Sequence, residues 1–395
     1  MTFSPAILLV KYINRKYIPS SVYYVLVVLT FVLLGYIAMT LMPRGDEGGL
    51  YLPAFEQAFA KWPRIDLSPY WPVSSFYLWI VSSIQTLAGN QPTLIQTGRL
   101  VSLVCWVVVV LRLLATRHRT GLLVLFNPYV LIYAIRAHPF VPGILLFYGF
   151  WVLTRRNRWV GWLLLPWAVN FQVFMAGAAG LFVPVWPLRR HEILLALLAG
   201  ILVVTGVLLT FLTWGGVYPE NFTKHHFYRT FQEHGEPTFS YIWSVLMLAG
   251  LIFWVAGCRT VAQMKQNGRY SLVVLGATAV GGLFLALSTD MVGITRDVML
   301  RVGQPGWVGL YCLAGLGWLR LHRSHYLIFF GLLASGLTLV SLHYFYERLS
   351  VFALIAPCLA WCCVGETDET DNWSVLLVCG LCLAGSIAYQ FHGSL

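Results

Sequence analysis

The chain has 395 residues, of which 58% are hydrophobic and only 10% charged, with a mean hydropathy of +0.73. A soluble domain carries about 25% charged residues, so this composition excludes an ordinary soluble enzyme and implies an all-α polytopic membrane protein. The formal net charge of +11 sits in short loops between apolar runs, which is a topology signal and not a nucleic-acid footprint.

Lys11, Arg15 and Lys16 precede the apolar run Val22 to Leu41. That run is long enough to span, since about 20 residues suffice, and no small-residue cleavage site follows it. It is read as an uncleaved first span over 21–42 with a cytoplasmic N-terminus. The next stretch, Pro43 to Trp71, is the longest polar interval of the first half and carries the acidic pair Asp46-Glu47 between Gly45 and Gly48-Gly49. The piece 73–88 is too short and too rich in Ser to span comfortably. It predicts an interfacial or re-entrant helix inside a first outer loop over 43–98.

With that choice the later spans fall at about 100–115, 120–135 and 138–153. The segment 159–186 is too long for one span and is interrupted by Pro166 and by Asn170-Phe171-Gln172. It predicts two short helices that go up and come back. Further spans follow at about 193–213, 239–257, 270–289, 305–319, 326–343 and 349–364, and a last one ends the chain. The expectation is a single domain, 1–395, with 11–13 transmembrane helices. Roughly 16 of the 26 Lys and Arg then lie on the inner side, as short basic cytoplasmic loops require.

The eight cysteines fall in or beside apolar runs, and Cys379-Gly-Leu-Cys382 has no second pair or His beside it. They read as small packing residues. No inverted pair of glycine-broken spans of the transporter kind is present.

The chemistry-bearing residues fall on the outer side. Asp46 and Glu47 suit a general base for a hydroxyl or amine, and a divalent cation held there is left open. Arg136 stands between two apolar runs with no acidic neighbour, and with His138 it offers a phosphate contact. His225 and His226 lie in an aromatic outer loop; adjacent histidines point to different sides of a helix, so they suit a lid better than a zinc site. Asn221-Phe222-Thr223 is a glycosylation sequon. Arg296 and Arg348 sit at the outer mouth and suit a leaving phosphate. Tyr70 and Trp71 complete the substrate-binding set, and no metal centre is predicted.

In order and side, these features resemble the GT-C class of integral-membrane glycosyltransferases, in the branch of protein O-mannosyltransferases and aminoarabinose transferases. The motifs are Asp46-Glu47 after span one, the Pro-led helix before Arg99-Leu100-Val101-Ser102, the hairpin Asn127-Pro128 to Arg136, and Tyr346-Glu347-Arg348-Leu349 running to Pro357. One departure is Leu67-Ser68-Pro69-Tyr70-Trp71-Pro72, which lacks the lysine that the branch often has before this helix. The resemblance implies inverting transfer of a sugar from a polyprenyl-phosphate donor to an acceptor glycan, lipid or protein, with Asp46 acting on the acceptor and an arginine on the phosphate. The compact chain suggests a bacterial inner membrane. Two other classes stay open: a transporter or flippase of a lipid-linked glycan, and a polysaccharide ligase or polymerase.

Overall fold

The computed structural model describes residues 20–43, 47–65, 74–89, 92–156, 158–183, 189–214, 240–256, 268–286, 291–292, 294–320, 327–339, 345–363 and 373–392. It is an all-α arrangement to which only one two-residue strand pair is added among the described residues. Three of its helices are long and apolar enough to cross a membrane: Ser21–Thr40, Leu94–Ala115 and Arg190–Thr213. Eight further apolar helices have 10–17 residues. An all-α membrane protein fits these helices, with fewer full-length spans among the described residues than the eleven to thirteen expected.

Helix α1 (Ser20–Thr40) carries no charge. Its Thr30 and Thr40 hydroxyls donate back to the Leu26 and Tyr36 carbonyls at 2.7 and 2.8 Å, so these two side chains need no partner outside the helix. A π-helical turn, Glu47–Tyr51, leads into α2 (Leu52–Lys61). Helix α3 (Ser75–Ala88) matches the predicted 73–88 element. The Ser74 hydroxyl caps it, and it stops at Gly89, whose φ of 80° lies in the region that favours glycine. Helix α4 (Leu94–Ala115) opens with a capping box in which Thr93 and Gln96 satisfy each other's backbone amides.

The expected single span over 120–135 is corrected. It divides into a 3₁₀ turn, Arg119–Gly121, and two short helices, α5 (Leu122–Leu125) and α6 (Pro128–Ala134). The reason is local. The Asn127 side chain accepts from the Tyr129 amide and Pro128 fills the first helical position, so the chain must restart there.

Helix α7 (Phe140–Arg155) then runs antiparallel to a 3₁₀ turn, Trp159–Leu163, that continues into α8 (Leu164–Phe171). Close approach along this pair is set by glycine: a Cβ on Gly161 would lie 2.8 Å from the Leu153 Cβ, and one on Gly149 3.0 Å from Leu164. The predicted break at Asn170-Phe171-Gln172 is present. Gln172 is extended (φ −151°, ψ 107°), and the chain returns as a 3₁₀ segment, Val173–Phe182. Helix α9 (Arg190–Trp214) packs on both arms of this short pair.

The remainder comprises α10 (Ser240–Ala256), α11 (Gly268–Ala286), α12 (Ile294–Gly315), α13 (Leu327–Leu337), α14 (Glu347–Cys362) and α15 (Trp373–His392). Helix α12 is kinked at Gly303 (φ 73°) just before Pro305. Strand β1 (Met291–Val292) pairs in parallel with β2 (Phe345–Tyr346). This pairing sets the starts of α12 and α14 side by side.

One large apolar cluster runs from Tyr23 on α1 to Cys379 on α15. A second, smaller cluster joins Tyr51, Phe55, Ala58, Tyr77, Val81 and Ile95 to Ala137 and Phe171. The first connection therefore folds into a helical cap over the 136–138 turn and the tip of α8. Tyr77 is the hub of this cap. Its hydroxyl donates to the Gly98 carbonyl at 3.1 Å, and burial pushes its phenol well above the ordinary range, so it remains a donor.

Candidate functional site

The site is built on Glu47. Its carboxylate is 2% exposed as a residue and is gripped by Arg99, itself 1% exposed. Arg99 Nε donates to Oε1 at 3.0 Å and Nη2 donates to Oε2 at 2.6 Å, a fork-on-fork pair. The Ala137 amide donates to Oε1 at 2.8 Å. Arg99 Nη1 donates to the Ala38 carbonyl at 2.9 Å and to the Leu41 carbonyl, two of the orphan acceptors at the C-terminus of α1. One ion pair thus fastens four pieces: the end of α1, the Glu47–Tyr51 turn, the first turns of α4, and the 136–138 turn.

This position fixes what Glu47 can do. Both oxygens are committed, one of them twice, so the side chain positions the acidic loop and is poorly placed to take a proton from an acceptor. A divalent cation at this carboxylate would have to displace the Arg99 guanidinium. The donors present do not fit a metal at Glu47. Among the described residues there is also no group of three His, Cys, Asp or Glu that could hold one.

Arg136 and His138 flank the amide that binds Glu47. Arg136 is half-buried, with its guanidinium 5.9 Å from the Tyr133 ring centroid. Among the described residues no carboxylate lies within ion-pair distance of it. His138 is 9% exposed. Its Nδ1 accepts from the Phe140 amide at 3.0 Å, so the neutral ring carries its proton on Nε2. The ring lies against Tyr133, Tyr51 and Phe352, with centroids 4.6, 5.1 and 6.4 Å away. The Ser102 hydroxyl, one turn after Arg99, donates to the His138 carbonyl at 3.1 Å.

Phe352 belongs to the second turn of α14 and also stacks on Phe140 at 4.1 Å. The start of α14 therefore lies at the same end of the molecule as the Glu47 tie. The β1–β2 pairing brings the start of α12 there as well. Arg348 and Arg296 are thus carried on neighbouring helix starts close to the 136–138 turn; their side chains lie outside the described part. Asp46, Tyr70, Trp71, His225 and His226 lie outside the described residues. Asp46 directly precedes Glu47 in the chain.

A polar relay backs the site. The Ser74 hydroxyl donates to Asn170 Oδ1 at 2.8 Å, and Asn170 Nδ2 donates to the Thr210 hydroxyl at 3.2 Å. Ser74 caps α3, Asn170 ends α8 and Thr210 is on α9, so the cap over the site is pinned to the helices beneath it.

Arg99 was not among the predicted site residues, although it opens one of the motifs above. The signal for it was present: a lone cation six residues into an apolar helix with no acid nearby in sequence needs a distant partner. Comparison of the chain with family models, with curated proteins and with solved structures gives no match.

Proposed function

We propose that the chain is a glycosyltransferase of GT-C type that moves a sugar from a polyprenyl-phosphate donor to an acceptor at the Glu47 end of the bundle. The observation that carries the reading is the Glu47 tie. It fastens the loop that contains Asp46 to the amide between Arg136 and His138, two residues with phosphate-binding chemistry. An acid for the acceptor and a cation for the donor then share one mouth, together with the helix starts that bear Arg296 and Arg348.

In this reading Asp46 accepts the proton of the acceptor hydroxyl or amine. The acceptor attacks the anomeric carbon, and the bond from that carbon to the phosphate oxygen breaks on the opposite face, which inverts the centre. The departing phosphate keeps the bond electrons, and Arg136 stabilises its charge, the contribution that usually dominates such transfers. Glu47 and Arg99 act as positioning residues. If a divalent cation takes part, Asp46 and not Glu47 holds it. The mouth faces the periplasmic side of a bacterial inner membrane, with the N-terminus cytoplasmic.

The test uses purified protein in proteoliposomes with a labelled polyprenyl-phosphate hexose and a panel of acceptors. Asp46→Asn is expected to lose at least a hundredfold in transfer while retaining expression and donor binding. Full activity in that variant would remove Asp46 from the mechanism. Movement of intact donor across the bilayer without covalent transfer would replace the enzyme by a flippase.

A further inference from the structure

The cap formed by α2 and α3 has two unlike outer faces, and the course of α3 shows which way each one looks. The Tyr77 hydroxyl donates to the Gly98 carbonyl, and the Thr97 hydroxyl donates to Gln85 Oε1. Tyr77 and Gln85 stand about 12 Å apart along α3, yet their partners are consecutive residues of α4. Helix α3 therefore crosses α4 and does not run along it. At its other end the Ser74 hydroxyl donates to Asn170, and the Phe76 ring stands edge-on to the Trp167 ring with centroids 4.5 Å apart. The start of α3 thus rests on the last turns of α8. The helix lies across the ends of α8 and α4 at the Glu47 end of the bundle, which for spanning helices is the plane of the membrane.

The polarity of α3 is inside out. The face against the bundle carries Ser75, Ser82 and Gln85, all buried. The opposite face carries Phe76, Trp79, Ile80, Ile84 and Leu87, of which Leu87 is 89% exposed, Ile84 40% and Trp79 36%. A helix on a water-facing surface shows the reverse pattern. The polar groups on this outer face are also turned back into the protein. The Ser83 and Thr86 hydroxyls donate to the Trp79 and Ser82 carbonyls at 2.8 and 2.9 Å, and Trp79 Nε1 donates to the Pro63 carbonyl at 2.9 Å. Trp62 joins the face by donating from Nε1 to the Ser83 hydroxyl at 3.0 Å. Helix α2 differs: its exposed residues include Glu56 and Lys61, and the exposed Arg64 follows in the turn that bonds Trp79.

We propose that the outer face of α3 docks into lipid, among the upper acyl chains of the leaflet at the Glu47 end, while the outer face of α2 meets water. Trp62 and Trp79 take the head-group boundary, where indole rings collect. Lys61 and Arg64, exposed in the turn beside them, reach the lipid phosphates. The apolar face is continuous through Phe76 with the half-buried Trp167 of α8, so one lipid-facing surface runs from the bundle onto the cap. The crossing at Thr97 and Gly98 then sets the adjacent Arg99 and its partner Glu47 at the same depth. The proposal concerns where the cap sits and holds whether or not the chain transfers sugar.

The test attaches a nitroxide at Leu87→Cys and, separately, at Glu56→Cys in the full-length chain, reconstituted in vesicles of phosphatidylcholine and phosphatidylglycerol. Wild type treated in the same way is subtracted to remove the signal of the native cysteines. Collision of the label with oxygen, which concentrates in lipid, is compared with collision with a water-soluble nickel chelate. The oxygen-to-nickel ratio at position 87 should exceed that at position 56 by about fivefold or more, because an interfacial helix sinks its apolar face about 5–10 Å into the head-group and acyl boundary. Ile84→Cys should give the same result, and it takes the place of Leu87→Cys if that variant does not reconstitute. A nickel collision rate at position 87 equal to that at position 56 overturns the proposal and puts the face in water. Protection of position 87 from both reagents overturns it as well, and gives the face to a second copy of the chain or to another protein.

Discussion

Replacing Glu47 by Gln tests the tie that organises the site. The substitution keeps the size of the side chain but removes its charge. It also turns one acceptor into an amide donor facing either Nε or Nη2 of Arg99, which now approach at 3.0 and 2.6 Å. Arg99 would keep its bonds to the α1 carbonyls but would be left as a buried, uncompensated cation. Breaking one side of such a pair costs about 3–5 kcal/mol. With an unfolding entropy of about 2.1 cal/mol/K per residue, a chain of this length should show an apparent melting temperature lower by about 4–6 °C. Intrinsic tryptophan fluorescence in one detergent at one scan rate reads this directly. The double variant Glu47→Leu, Arg99→Met removes both charges and should recover much of the loss, giving a large coupling in the cycle. A Glu47→Gln melting temperature within 1 °C of wild type, or single effects that simply add in the double variant, would refute the reasoning.

Three further outcomes follow from the packing and the charges. Gly98→Ala puts a Cβ 2.8 Å from the Ala137 Cβ and 3.1 Å from Phe55, so it should push the 136–138 turn off α4 and cost about 1–3 kcal/mol; Gly200→Ala, which meets nothing within 4 Å, should be neutral or stabilising in the same melting assay. Asn170→Leu removes the acceptor of the Ser74 hydroxyl and one donor to Thr210, which keeps its bond to the Gly206 carbonyl, and should lower stability by about 1–3 kcal/mol, with faster proteolysis between α2 and α4 as its specific mark. His118, in the turn after α4, has a buried Nδ1 with no hydrogen-bond partner, and burial holds its pKa below the ordinary value near 6.5. The unfolded chain then binds more protons than the folded one below that value. The contribution is present in full above pH 6.5 and is lost as pH falls through the lowered folded value. Melting temperatures measured at pH 7.5 and 5.5 should differ more in wild type than in His118→Asn.

The positions of most helices were legible because they depend on local chemistry. Uncharged α1, the Ser74-capped α3 and the break at Asn170-Phe171-Gln172 all follow from spacing, caps and breakers in the sequence. The division of 120–135 was legible in principle at Asn127-Pro128, but apolar composition alone favoured an unbroken run. The partner of Glu47 was not legible. Arg99 lies 52 residues away, and the amide of Ala137 lies 90 residues away. The lone charge of Arg99 in an apolar helix marks the need for a distant acid, but nothing local says which one, and in sequence Glu47 looks the same as Asp46. Only the folded cap sets Glu47 apart, by the partners it gives that carboxylate.

That separation bears on how two adjacent carboxylates divide the work. A buried ion pair is a poor source of net stability, since an apolar pair of similar volume often does as well or better. What the Glu47–Arg99 pair supplies is register. Its directional bonds fix the Glu47–Tyr51 turn against α4, and the same carboxylate holds the Ala137 amide between Arg136 and His138. A hydrophobic substitute could fill the space but could not set the rotation of the turn about that amide. Hence the double variant Glu47→Leu, Arg99→Met should separate two properties that the single variants confound. Its melting temperature should return towards wild type while sugar transfer stays low, because stability needs the volume and the site needs the orientation. Recovery of both together would mean that the pair serves only the fold, and that the acid-and-cation mouth is organised by something else.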